Sequence, residues 1–376
     1  MKKYQRILAL GFGLVVTGIA TAQSSESLLK KLVEKGVLTE AEAGELRNEA
    51  NAENTIKPNN WVDSITFKGD LRLRYEMKHQ EWAAGSQPSR KRFRYRFRYG
   101  AIADLQNDMK VGFRIASGST SNPISTNQSL DDPGHNDSLN IDQAYAQWSR
   151  SGFTVLGGKM PNHTKTGWMI HSGLIDTDYT PEGAELHYDL DAGGLPLGLH
   201  GGWHSIYESS SADDGLLIGQ LTGVYEISRD ASLKFGLGSY WLYNNIAAKR
   251  DEVGSDPTNA LVHKDSAGNS ETSGNKVASN FNPYFVDAAL TYKGWARPVK
   301  FSAMYLNNPA AAASSEDTGY SLGVKYGSAK KAGEWEIGYE WRHLEQDSTW
   351  HGLTDSDFGA FGARNVTGNN GNTYYN

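Results

Sequence analysis

The chain has 376 residues, a net charge of −6 and no cysteine. The mild acidity argues against a nucleic-acid partner, and without cysteine a disulfide scaffold is impossible, so stability has to come from a core or from ladder hydrogen bonds. With 38% hydrophobic residues and a mean hydropathy of −0.55, no internal stretch reaches the roughly 18 apolar residues of a membrane helix. That excludes a helical membrane protein but not a β-barrel.

Residues 1–22 have the pattern of a secretory signal. Lys2, Lys3 and Arg6 precede an apolar run, and Ala20, Thr21 and Ala22 supply the small-residue pattern for cleavage after Ala22. Residues 23–50 are predicted to form a helical hairpin on the periplasmic side. Leu28, Leu29, Leu32 and Val33 sit at helical spacing, Gly36 breaks the run, and Thr39 with Glu42 makes a capping box. The hairpin is too poor in apolar residues to be stable alone. Residues 51–60 read as a linker, and the barrel is expected over 61–376.

From Trp61 onward the periodicity is two. In "ITFKGDLRLRYEM", Ile65, Phe67, Leu71, Leu73, Tyr75 and Met77 share one parity, and Lys68, Asp70, Arg72, Arg74 and Glu76 the other. In "KRFRYRFRYG", Arg92, Arg94, Arg96 and Arg98 alternate with Phe93, Tyr95, Phe97 and Tyr99. About thirteen such segments recur, each near the length of a tilted membrane strand. Tight turns such as "LQNDMK" and "ISRDAS" alternate with long polar links at 117–138, 161–181 and 244–280. Trp or Tyr recurs at the ends of the apolar runs, as at Tyr75, Trp203, Tyr225, Trp241 and Trp341. Rings at headgroup depth on one parity, with charge, Gly and Ser on the other, predict a wall with lipid outside and water inside.

The combination of signal peptide, "LLKKLVEKGVLTEAEA" hairpin and "ITFKGDLRLRYE" opening strand is similar to a bacterial outer-membrane family called "putative porins". Further matches are "NIDQAYAQW", "LGGKMPN", "DTDYTPEGAEL" and "DSDF" at Asp355–Phe358. The resemblance implies an all-β, transmembrane, antiparallel up-and-down barrel of roughly sixteen strands in the cell outer membrane, without catalysis or cofactor, and commonly trimeric. The chain departs from this pattern by stopping at "GNTYYN". An odd strand count leads to the expectation that the last strands are missing.

If the first hairpin closes through "EWAAGSQPSR", Arg72 lies beside Arg96 and Arg74 beside Arg94, with Glu76 near Arg92 and Asp70 near Arg98. Lys68 and Arg114 extend this basic wall. The segment "PNHTKTGWMIHSGLIDTDYTPEG" is too long for a simple hairpin and could fold inward, setting Asp176 and Asp178 against the arginines as a constriction. The expected function is passive diffusion of small hydrophilic solutes, with a preference for anions. The alternative of a wall that is salt-bridged only for stiffness remains open. So do a plugged barrel whose outer loop 244–280 binds a surface partner and a barrel hydrolase at His171 and Ser172. His200 and His204 share a parity but make too few ligands for a metal site. No metal, cofactor or nucleotide motif is expected.

Overall fold

The structure, a computed structural model, describes residues 61–350 apart from several breaks, together with 354–355 and the isolated residues 32, 33, 39 and 42. The breaks are 79–80, 83–84, 87–89, 120–124, 131–132, 135, 162–175, 209–212, 244–268, 273–275 and 331–332. Two compact units divide the chain, Met1–Thr66 and Phe67–Asn376. In the first, the expected capping box is present. The Thr39 amide donates to Glu42 Oε2 at 2.8 Å and the Glu42 amide to Thr39 Oγ1 at 3.2 Å. These bonds to Thr39, the backbone one foremost, hold the exposed Glu42 carboxyl below its ordinary range. The signal segment, the linker and the rest of the hairpin lie outside the described residues.

From Val62 to Leu344 the chain is mostly strand. The first is β1 (Val62–Lys78), and a short ribbon of β2 (Glu81–Trp82) with β3 (Gly85–Ser86) lies between it and β4 (Arg90–Leu105). Then come β5 (Met109–Ala116), the two-residue β6 (Gln128–Ser129), β7 (Asn140–Arg150), β8 (Phe153–Lys159), β9 (Glu182–Asp191) and β10 (Pro196–Tyr207). After β11 (Asp214–Ser228) and β12 (Ala231–Tyr243) a second ribbon pairs β13 (Glu271–Thr272) with β14 (Lys276–Val277). The chain continues as β15 (Tyr284–Tyr292), β16 (Val299–Asn307), β17 (Thr318–Ser328) and β18 (Trp335–Leu344). One 14-stranded sheet takes in all but the two ribbons, in the order β1-β4-β5-β7-β8-β9-β10-β11-β12-β15-β16-β17-β18, with β6 paired to β4. Apart from the short β6 and the two ribbons, strands that follow one another in the chain are neighbours in the sheet, which makes an up-and-down antiparallel barrel wall. No helix among the described residues is long and apolar enough to cross a membrane.

Connections alternate as expected. Arg150 pairs with Phe153 across a two-residue turn in which Ser151 (φ 54°) and Gly152 (φ 81°) both hold positive φ, the mirror-image turn that matches strand twist. Asn107 and Asp108, each at φ 63°, serve the β4–β5 turn, a conformation that Asn and Asp tolerate better than most residues. Links at the opposite ends of the strands, such as 117–127 and 160–181, are long.

The two faces differ in chemistry. Leu73 is 79% exposed and Tyr339 68%, and Leu71, Met77, Phe93, Ile141, Trp241 and Ile337 are exposed with them. The opposite face buries Glu76, Asp142, Glu185, His204 and Asp287. Large apolar groups outside and charges inside reverse the arrangement of a water-soluble sandwich and match a lipid-facing wall. At the outer-loop ends of β11–β18 the inward face also carries an apolar cluster: Leu216, Tyr240, Phe285, Met304, Leu344 and Trp350, with others around them. Asp347 ties the loops above it. It accepts from the Ser270 amide at 2.9 Å, the Ser270 hydroxyl and the Ser279 hydroxyl at 2.7 Å, while Asn308 Nδ2 donates to its carbonyl at 2.7 Å.

Candidate functional site: an arginine wall under two inward segments

Strand parity fixes the site. Phe67 stacks on Tyr99 at 6.1 Å and Tyr75 meets Phe93 at 4.8 Å on the outer face, so β1 and β4 face each other in the register that puts their charged residues side by side within. Arg92 Nε donates to Glu76 Oε1 at 2.6 Å and Arg94 Nη1 to Glu76 Oε2 at 3.4 Å, and Arg74 pairs with the same carboxylate. Asp70 accepts from Arg96 Nε at 3.0 Å and Arg98 Nε at 2.7 Å. Acids interleaved with guanidiniums relieve the like-charge repulsion of adjacent arginine strands.

Two chain segments lie over this wall. Beyond β5 the chain leaves the sheet at Ser117, whose amide donates to Phe97 O at 2.9 Å, and rejoins β4 where the Leu130 amide donates to Phe93 O at 3.0 Å. Between them Ser125, Thr126 and Asn127 are buried. Asn127 Oδ1 accepts from Arg72 Nη2 at 2.6 Å, its carbonyl accepts from Arg94 Nη2 at 2.9 Å, and Ser129 Oγ accepts from Arg92 at 3.3 Å. The second segment is the stretch just before β9. Asp176 is buried and its carboxylate accepts from the Asp178 amide at 2.7 Å. Asp178 in turn lies 3.3 Å from Arg98 Nη1 and 3.6 Å from Arg96 Nη1, and Thr126 Oγ1 approaches it at 3.5 Å. Residues that lead directly into β9 thus reach β4, four places away in the sheet order.

Arg114 pairs with Asp142. The register of β5 with β7 shifts between Arg114 and Ile115, and this bulge puts both Asp142 and Gln143 out of simple alternation. Lys68 is exposed on β1. Six guanidiniums therefore meet the carboxylates of Asp70, Glu76, Asp142 and Asp178, and a seventh, that of Arg72, donates to the Asn127 amide oxygen. Even with Asp176 counted, the wall keeps a positive excess. A further inward pair of contacts lies on β18, where Arg342 binds Glu340 at 2.5 Å and Asp355 at 2.6 Å.

Next to the segment carrying Asp178 runs a row of imidazoles. Glu185 Oε1 lies 3.0 Å from His204 Nε2 and its Oε2 3.1 Å from His187 Nε2. His187 Nδ1 lies 2.6 Å from His200 Nδ1, and His200 Nε2 lies 2.8 Å from Thr222 Oγ1. His200 and His204 therefore engage different partners and do not converge as a pair. No group of three or more metal-ligating side chains forms among the described residues. His171, Ser172 and residues 244–268 of the long outer loop lie outside them.

Sequence reasoning missed Asn127, Ser129, Asp142 and the Glu185 row. Segment 125–129 has no period to read, and a bulge breaks parity at Asp142. For the Glu185 row the signal existed: Glu185 and His187 share a parity, and the short turn after Asp191 sets His187 opposite His200.

A family model described as "Putative porin" matches residues 83–286. Among solved structures the chain is similar to OprB of Pseudomonas putida, with 15% identity over 85% of this chain and 84% of that one, at a TM-score of 0.46. It is also similar to OmpF of Salmonella typhi, with 8% identity over 77% of this chain and 94% of that one, at 0.45. For the outer-membrane channel DcaP of Acinetobacter baumannii the figures are 11% identity, 77% and 93% coverage, and 0.39. No curated protein matches the chain.

Proposed function

This chain belongs to that porin family and is a β-barrel channel protein of the cell outer membrane, and from this premise we propose that it passes small hydrophilic solutes by passive diffusion with a preference for anions. The observation that carries the preference is the positive excess of the inward wall at Arg72, Arg74, Arg92, Arg94, Arg96, Arg98 and Arg114, with Lys68 beside them. Asp176 and Asp178 belong to the constriction, because the segment that holds them reaches Arg96 and Arg98. A local field between a basic wall and an acidic segment orients dipolar solutes and discriminates by charge. No catalysis is part of this reading, and a homotrimer follows from the family resemblance.

The test is the reversal potential of the protein in a planar bilayer under a salt gradient. Arg96→Gln with Arg98→Gln is expected to move it towards cation preference. An unmoved potential would assign the ladder to stiffening alone.

A second reading has its own support. The inward apolar cluster around Tyr240, Phe285 and Trp350 fills part of the outer-loop end, as a plugged barrel with partner-binding loops would require. Stepwise conductance separates the two readings, since a plug gives none.

A further inference from the structure

We propose that Glu185, His187, His200 and His204 form a proton-sensitive brace that positions the segment carrying Asp178, and so make the channel's charge preference depend on pH. This rests on the channel reading above. The brace begins from hydrogen-bond bookkeeping. A carboxylate only accepts, so the Nε2 atoms of His187 and His204 both carry hydrogens towards Glu185. With neutral rings, His187 Nδ1 is then bare and must accept from His200 Nδ1–H across 2.6 Å. His200 Nε2 is bare in turn and accepts from the Thr222 hydroxyl at 2.8 Å. One arrangement of single protons satisfies these four contacts, and the tautomers are assigned from that network.

The row cannot take up protons without changing. A hydrogen on His187 Nδ1 would point at the one on His200 Nδ1, so protonating His187 there breaks their contact. Protonating His200 at Nε2 instead reverses the bond to Thr222, whose hydroxyl then has Gly198 O as acceptor at 3.5 Å. One carboxylate serves three imidazoles, so a first proton neutralises the row and a second leaves it cationic. Glu185, His187 and His204 are all buried, where an uncompensated charge is expensive.

The surrounding elements define the field that the row feels. On β9, Asp189 shares the inward parity beyond His187, and Glu182 is bound to Lys159 at 2.8 Å. From β8, Thr154 stands opposite His187 and Leu156 opposite Glu185. From β11 come Gln220 opposite His200, Thr222, and Asp214 at the strand start. The loop contributes Asp176, Asp178 and Tyr179.

Tyr179 links brace and constriction. Its ring lies 6.3 Å from that of His204, and it packs in the apolar cluster with Leu216. The preceding residue is Asp178, held by Arg96 and Arg98. Movement of His204 as the row charges shifts Tyr179 and loosens Asp178, leaving more of the arginine charge to the lumen. Anion preference therefore rises as pH falls and the row takes up protons.

The experiment measures the reversal potential of the full chain in a planar bilayer over a pH series from 7.5 to 5. The wild type is expected to be more anion-preferring at pH 5. His187→Gln with His200→Gln is expected to flatten the response, and Asp178→Asn to show the acid-like preference already at pH 7.5. Thr222→Val, which leaves every ring in place, is expected to move the midpoint by about half a pH unit or more. A conducting channel with no pH response, or a response that survives in the histidine variant, or an unmoved midpoint in Thr222→Val, overturns the brace alone. A membrane silent throughout the pH series overturns the channel reading and the brace with it.

Discussion

Glu76 holds three arginines, so Glu76→Gln removes the charge that lets Arg74, Arg92 and Arg94 share one patch of wall. The carboxylate is 8% exposed and the three guanidinium side chains between 10% and 21%. Removing one partner of a buried pair costs about 3–5 kcal/mol, because the charges left behind stay desolvated. Arg92 retains Ser129 and Arg94 retains the Asn127 carbonyl, and water reaches part of each head group. The expected loss is therefore at the lower end, about 3 kcal/mol, or roughly a 100-fold change in the folding constant. Equilibrium unfolding in urea, with barrel refolding into lipid vesicles followed by tryptophan fluorescence, reads this directly. Lys325→Gln gives the scale: Lys325 pairs with Glu336 at 2.9 Å but the two are 50% and 39% exposed, so that change should cost about 0.5 kcal/mol or less. A Glu76→Gln protein no less stable than Lys325→Gln would refute the claim that the wall is held together by shared carboxylates.

Two further predictions concern backbone and loops. Gly158 sits at φ +113° with Ala144 O only 2.4 Å from where a Cβ would stand, whereas at Gly219 nothing lies within 4 Å; Gly158→Ala should cost roughly 2 kcal/mol or more and Gly219→Ala far less, read from the same urea midpoints. In the loop between β16 and β17, burial, with Glu345 and Asp347 adding to it, lifts the Glu316 carboxyl above its ordinary value against a hydrogen bond from the Gln346 backbone. The folded state then holds the proton more tightly, so this group's contribution is fully present below pH 4.5 and is lost as pH rises through the raised value. Glu316→Gln is expected to protect the outer loops from hydrogen exchange more than the wild type at pH 7 and equally near pH 4, and weaker protection at pH 7 would contradict the assignment.

The sheet was legible because a strand repeats every two residues: once Arg92–Arg98 and Phe93–Tyr99 fall on opposite parities, their faces are assigned for the whole strand. The turn at Ser151–Gly152 and the alternation of short and long links set the order of the strands. What parity cannot carry was lost. Asp142 reaches Arg114 through a bulge, a local insertion that leaves no periodic trace. Asn127 reaches Arg72 and Arg94 from a segment without alternation, whose course depends on where the chain leaves β5 and rejoins β4. Asp178 was placed against the arginine wall from loop length and charge, but its particular partners, Arg96 and Arg98, depend on geometry across four sheet positions. The Glu185 row draws on β9, β10 and β11 together, so it becomes visible only when two hairpin registers are known.

An open channel whose arginine wall selects by charge is tested most directly by the current through the purified protein in a planar bilayer with a salt gradient across it. Such a channel gives stepwise conductance and a reversal potential on the anion side. A well-folded protein that leaves the membrane silent, or conducts with cation preference, would contradict it.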